Sequence, residues 1–176
     1  MAIHFLETER LELRLESSEE ILSRISAMAP EDLAQVSLAW LDRLRKASQP
    51  GPWTHGIDIV KRDSGTSVGT CAFKGPPDDK GTVEIAYGLL PEHRGQGYAR
   101  EAAAALSRYA LEVAGVTCVC AHTLPSNLAS MRVLEANGFR FAGDVIDWED
   151  GLVKRWELRK ESADCIEEID STTDQR

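Results

Sequence analysis

The 176-residue sequence predicts a single α/β domain with a mixed, largely antiparallel sheet of about six to seven strands flanked by helices. Three observations carry that expectation. Apolar and other residues alternate with a period of two over 10–16 and 82–90, the pattern of half-buried strands. Short glycine-containing loops, Asp63-Ser64-Gly65 and Glu149-Asp150-Gly151, separate β-rich runs and read as hairpins. An alanine-rich stretch of helical period lies between the runs 82–90 and 116–124, which makes those two strands a parallel crossover unit.

Taken in order, Leu11, Leu13 and Leu15 alternate with Arg10, Glu12, Arg14 and Glu16 as the first strand. Ser17 with Glu20 three residues on forms a capping box for a short helix to about Met28. Pro30 opens a second helix with Leu33, Val36, Trp40 and Leu44 on one face, and Pro50-Gly51-Pro52 stops it. The runs 54–62 and 66–74 pair as a hairpin, and Gly75 to Gly81 forms a looser turn. In the next strand Val83, Ile85, Tyr87 and Leu89 share one face, while Glu84, Ala86 and Gly88 make a small-residue face with one acid. A long helix begins at Gly97, with Ala99, Ala102, Leu106, Tyr109, Ala110 and Val113 on its apolar stripe, and Gly115 ends it. Ser126 or Asn127 caps a further helix that Asn137-Gly138 closes, and the runs 139–148 and 152–159 pair as the last hairpin. Trp40, Trp148 and Trp156 read as packing residues. Residues 1–159 therefore make the domain, and 160–176 read as an acidic, flexible tail.

Composition narrows the function classes. No apolar run approaches the ~18 residues that span a bilayer, and the N-terminus lacks the basic and apolar regions of a signal peptide, so a cytoplasmic protein with no membrane partner is expected. The four cysteines have no C-x-x-C spacing, so neither a metal site nor disulfides are expected. A formal charge of −9 disfavours nucleic acid and suits a cationic acceptor, although −4 of it lies in the tail. A monomer and a homodimer both remain open.

The chemistry centres on Pro91-Glu92-His93-Arg94-Gly95-Gln96-Gly97-Tyr98-Ala99, between a strand and the long helix. Two glycines let the backbone approach a ligand closely, and the unpaired N–H groups of a first helical turn attract negative charge, for which a diphosphate is the natural guest. A G-x-G pair alone also fits an ordinary tight turn or a dinucleotide-binding fold. Arg100 stands where the third glycine of such a fold would be, and hairpins precede the motif instead of a βαβ opening.

Arg94-Gly95-Gln96-Gly97-Tyr98-Ala99, together with Asn127-Leu128-Ala129-Ser130 and Asn137-Gly138-Phe139, resembles the acetyl-CoA-binding pattern of the GNAT superfamily of N-acetyltransferases, in its RimJ/RimL-like branch, over about Arg10 to Arg159. The resemblance implies a splayed central strand pair and acetyl-CoA as acyl-donor cosubstrate. It implies that backbone N–H groups of Gly95, Gln96, Gly97, Tyr98 and Ala99 hold the pyrophosphate, with Arg94 adding charge. Leu89-Leu90-Pro91 ends the strand, and its backbone would pair with pantetheine as an added strand does, an N–H near Leu90 facing the thioester carbonyl. Asn127 and Ser130 would reach the same groove, although both also read as simple caps. Related enzymes place a tyrosine general acid seven residues after the asparagine, where this chain has Leu134, so Ser130 is the replacement candidate.

Attack by a protonated amine on a thioester needs a base. Glu84 is the first candidate, with a solvated strand residue as the plain alternative; His122, near the end of the neighbouring strand, is the other titratable group in reach. Trp53 and His55 are placed at the substrate side, though a tryptophan after Pro-Gly-Pro also suits a core anchor. The expected function is acetyl transfer to a primary amine, either a protein N-terminus or a small amine, by direct attack in a ternary complex. The alternative is a catalytically silent acyl-CoA-binding sensor or interaction module, which Leu134 keeps open.

Overall fold

The computed structural model describes residues 3–30, 36, 38–147 and 150–161. Strands β1 (Ile3–Glu7), β2 (Leu11–Leu15), β3 (Ile57–Lys61), β4 (Ser67–Phe73), β5 (Thr82–Leu89), β6 (Cys118–Thr123), β7 (Arg140–Asp147) and β8 (Gly151–Arg159) form one sheet in the order β1-β2-β3-β4-β5-β6-β8-β7. Every neighbouring pair is antiparallel except β5–β6. The helices are α1 (Ser18–Ser26), α2 (Leu38–Lys46), α3 (Tyr98–Glu112) and α4 (Leu128–Ala136), with a 3₁₀ turn over Pro91–His93. This is the mixed, largely antiparallel sheet expected, with one strand more. The addition is β1, whose pairing with β2 shifts register between His4 and Leu6, so no clean alternation marks it in the sequence.

The alternating leucines of β2 are all buried, as are Ile57, Ile59, Phe73, Val83, Ile85 and Val119, and they pack with Ala102, Ala103, Leu106 and Ala110 of α3. Alanine on the inner stripe lets the α3 backbone lie close to the sheet. A second cluster, Ile21, Ile25, Leu41 and Leu44, joins α1 to α2, with Val36 and Trp40 packed against it. The expected Ser17–Glu20 capping box is present: Glu20 N–H donates to Ser17 Oγ at 3.2 Å, and Ser17 N–H donates to Glu20 Oε2 at 2.8 Å. Helix α2 ends at Lys46, short of Pro50, which therefore lies within the following loop and does not break the helix. Leu33, Trp148, Cys165 and the tail from Ser162 onward lie outside the described residues.

The topology makes one opening. Strand β5 pairs with β6 only over Thr82–Glu84 and Cys118–Cys120, while its pairing with β4 continues to Leu89. Beyond Glu84 the two parallel strands part, as the splayed pair requires.

Ala103, fully buried on α3, has no room for a longer side chain. Ala103→Leu should lower stability by about 1–3 kcal/mol through overpacking, read as a lower urea midpoint. A midpoint equal to that of the unaltered protein would contradict the close helix–sheet approach.

Candidate active site

The glycine loop opens one wall of a cleft of about 490 Å³. Gly95 and Gly97 have φ of +74° and +85°, left-handed values that favour glycine, and Gly97 is the N-cap of α3 with no side-chain cap on the first turn. The helix therefore presents its first N–H groups to the cleft without competition from a capping oxygen. Leu89, Arg94, Gly95, Gly97, Ala99 and Arg100 line this side; Asn127, Ala129, Ser130, Arg132 and Val133 line the other. Asn127 caps α4, its Oδ1 accepting from Ser130 N–H at 3.1 Å. Arg94 is anchored by donating from Nε to the Leu89 carbonyl at 3.1 Å.

The loop is clamped from behind by two residues that no motif marks. Arg10 donates from Nη1 to the Gln96 carbonyl at 2.9 Å and from Nε to Glu101 Oε2 at 2.7 Å, while its backbone N–H and the Thr8 hydroxyl both donate to Glu101 Oε1. Burial pushes the Glu101 pKa up, but those bonds and the Arg10 charge outweigh it and hold the carboxyl below its usual range. The Arg10 guanidinium also lies 4.8 Å from the centre of the buried Tyr98 ring. Gln96 and Tyr98, expected at the pyrophosphate, do not line the cleft, and their side chains are engaged elsewhere; the Gln96 amide donates to the Glu92 carbonyl.

Strand register corrects the expectation for Leu90. Its N–H donates to the Val68 carbonyl at 2.9 Å, and Lys74 N–H donates to the Glu84 carbonyl at 2.9 Å. Backbone groups of an antiparallel strand alternate in direction, so Glu84, Ala86, Gly88 and Leu90 face β4, whereas Tyr87 and Leu89 face the opening beside β6. The N–H groups on the cleft side are theirs.

Across that opening Glu84 Oε1 lies 3.0 Å from His122 Nδ1 and 3.0 Å from Lys74 Nζ. Burial opposes the Lys74 charge, but the bond to Glu84 and the charges of Glu84, Asp147 and Asp150 outweigh it and raise its pKa. A small cavity of about 250 Å³ joins these groups to Tyr87, Asn127 and Ser130. A larger one, about 720 Å³, lies between the sheet and the α1–α2 pair, and Glu84, Lys74 and Tyr87 line it as well. Tyr87 alone among the described residues lines all three spaces. Its hydroxyl donates to the Ser130 carbonyl at 3.3 Å, and burial pushes its pKa up to about 12, partly offset by the Ser130 side chain, so it stays protonated at neutral pH. Sequence alternation grouped it with the buried face; its place three residues past Glu84, beyond the splay, was the signal available.

A family model described as an acetyltransferase (GNAT) domain matches residues 6–140. The chain belongs to the GNAT family. It is 36% identical over 109 residues to the uncharacterized N-acetyltransferase YjdG of Bacillus subtilis, a match covering 58% of this chain and 60% of that protein. The GNAT fold is shared with the ribosomal-protein-S5-alanine acetyltransferase of Vibrio fischeri at a TM-score of 0.64 and 17% identity, over 90% of this chain and 96% of that one. It is shared too with the spermidine N-acetyltransferase of Vibrio cholerae in complex with CoA and spermine, at a TM-score of 0.64 and 13% identity over 86% and 96% of the two chains.

Within this GNAT domain the position of the family's tyrosine is filled by Leu134, fully buried in the core. Of the three residues assigned to the substrate side from sequence, His122 lines the gap beside Glu84, while Trp53 and His55 part company. Trp53 packs on Phe73 with ring centres 4.7 Å apart and lies 6.1 Å from Tyr109 of α3, so it belongs to the helix side of the sheet and lines none of the three cavities. His55 does reach the large cavity but is 1% exposed, and both ring nitrogens are occupied. Gly51 N–H donates to Nδ1 at 3.2 Å, which leaves Nε2 to carry the proton and donate to Ser18 Oγ at 2.9 Å. The imidazole ties the Pro-Gly-Pro loop to α1 and is positioned as structure, not as a base.

Burial lowers the His55 pKa. The unfolded chain then binds a proton more readily, so this residue's contribution is full above about pH 6.5 and is lost as pH falls from there through the lowered value of the folded state. Melting of the unaltered protein should drop between about pH 7.5 and pH 5.5, with a flatter slope in His55→Gln, which cannot titrate. Parallel slopes would show that His55 does not bury a neutral ring.

Proposed function

We propose that residues 1–159 form an acetyl-CoA-dependent N-acetyltransferase that transfers acetyl to a primary amine by direct attack in a ternary complex. The observation that carries this reading is that the glycine-loop cleft and the large cavity share Tyr87, and that Glu84 lines the large cavity and the small gap beside it, where β5 and β6 part. A donor entering over the glycine loop and an acceptor entering under α1–α2 arrive at the same gap.

Acetyl-CoA fits the cleft by its chemistry: anion-seeking N–H groups at an uncapped helix start, with Arg100 and Arg132, whose side chains pair with none of the described residues, beside them, suit a diphosphate. The Tyr87 and Leu89 backbone is free of β4 on the cleft side and suits the pantetheine amides. Glu84 accepts a proton from the acceptor ammonium, directly or through water, and His122 shares the resulting charge across the gap. A backbone N–H of Tyr87 or Leu89 takes the place first assigned to Leu90 at the thioester oxygen. A phenol near 12 holds its proton more tightly than a thiol near 8.5, so Tyr87 supports the leaving sulfur by a hydrogen bond, and water or Ser130 supplies the proton.

The described lining of the acceptor cavity holds Glu16, Glu84 and Asp147 against Arg24, Arg43 and Lys74, with Glu16 and Arg24 paired to each other. This balance suits an amine that carries a neighbouring carbonyl or carboxylate, as a protein N-terminus or amino acid does, better than a polyamine. Binding without transfer is the second reading, and Leu134 is the observation behind it.

Two measurements test the proposal. Gly97→Ala forces a β-carbon onto a left-handed φ, at roughly 1–2 kcal/mol, and sets it 3.1 Å from Arg10 Nη2; CoA affinity by calorimetry should fall about tenfold or more while the fold persists. Unchanged affinity in the folded variant would remove the glycine loop from the site. Across an amine panel, Glu84→Gln should lower kcat/KM by about 10²–10⁴-fold, more than Tyr87→Phe or Ser130→Ala, with the deficit shrinking as pH rises. Saturable CoA binding with no turnover on any amine would instead favour the silent module.

A further inference from the structure

The amine nearest the candidate base belongs to the protein itself. Lys74 follows the last residue of β4, and its backbone N–H donates to the Glu84 carbonyl at 2.9 Å, which fixes its register beside the base. Its Nζ then lies 3.0 Å from Glu84 Oε1, at the wall shared by the acceptor cavity and the gap lined by Ser130 and Tyr87. The side chain is 47% exposed, so the amine is reachable from the cavity. The other ion-paired lysines, Lys46, Lys61 and Lys154, bind Asp42, Asp63 and Asp144 and line none of these three spaces.

We propose that Lys74 is an acceptor in its own right: with acetyl-CoA bound, the chain acetylates its own Lys74, with Glu84 as the base. This inference rests on the acetyltransferase reading above. Glu84 or water removes one proton from the Nζ ammonium, the nitrogen lone pair attacks the thioester carbonyl, a C–N bond forms, and the nitrogen gives up its second proton to water as the C–S bond breaks. Coenzyme A leaves as thiolate and is protonated by solvent, so the products are Nε-acetyl-lysine, CoA thiol and one released proton. The charges of Glu84, Asp147 and Asp150 keep Lys74 protonated at neutral pH, so the reaction accelerates as pH rises. The amide cannot pair with Glu84 as an ammonium does, so modification leaves the carboxylate to His122 and the external acceptor.

The test is to incubate the purified full chain with acetyl-CoA and no added amine, and to follow intact mass and peptide maps with time. Acetyl should appear at Lys74 roughly a hundredfold faster than at Lys46, at a rate that saturates with acetyl-CoA and does not depend on protein concentration. Lys74→Arg should lose the fast phase, and Glu84→Gln should slow it. Lys74 modified no faster than Lys46, or a rate that scales with protein concentration, overturns the proposal. Calorimetry with CoA on the same preparation separates the two levels: saturable binding with unmodified Lys74 overturns this inference alone, and absence of CoA binding overturns the reading beneath it as well.

Discussion

Everything at the site depends on the parting of β5 from β6. Three residues of parallel pairing, Thr82–Glu84 on Cys118–Cys120, hold the two halves of the sheet together, after which β6 stays bonded to β8 and β5 stays bonded to β4. Backbone groups that would have satisfied each other are left facing a gap, and in a buried sheet such groups need partners. A ligand with amides of its own can supply them, and this supports the seat proposed above for a pantetheine arm.

The elements around the gap are arranged so that it does not close. Helix α3 lies on the sheet through alanines and starts at a left-handed glycine, so its first turn reaches the end of β5 instead of covering it. Arg10 and Glu101 hold the glycine loop from the far side, and Asn127 caps α4 across the cleft. The Tyr87 hydroxyl spans from β5 to the Ser130 carbonyl, a direct link between the walls. The small pair α1–α2 has its own apolar cluster, and this lets it roof the acceptor cavity without filling it.

Charge is distributed with the same economy. The chain is acidic overall, yet the large cavity is nearly balanced in its described lining and the glycine-loop cleft carries Arg94, Arg100 and Arg132. Net charge therefore describes solubility here better than it describes the ligand. The local set is what the proposal rests on: Glu84 held between His122 and Lys74, 3.0 Å from each, beside the gap.

Local features were legible in the sequence because local forces produce them. The Ser17–Glu20 box, the glycine loop with its two left-handed residues, the Asn127 cap and the alternating strands all follow from contacts within a few residues, and each appears where its pattern places it. Glu84 and His122 were singled out by position and residue type, but that they touch across 38 positions is a fact of strand register. Periodicity reports which side of a segment avoids water and says nothing of what covers it. Hence β1 escaped notice, Leu90 was assigned an N–H that β4 already uses, and Trp53 and His55, two residues apart, went to opposite sides of the sheet. Tyr87 and Lys74 owe their places at the gap to where β5 leaves β6 and where β4 ends beside it. The tertiary structure decided these, because pairing and packing between distant segments select the partner from many that the same pattern would satisfy.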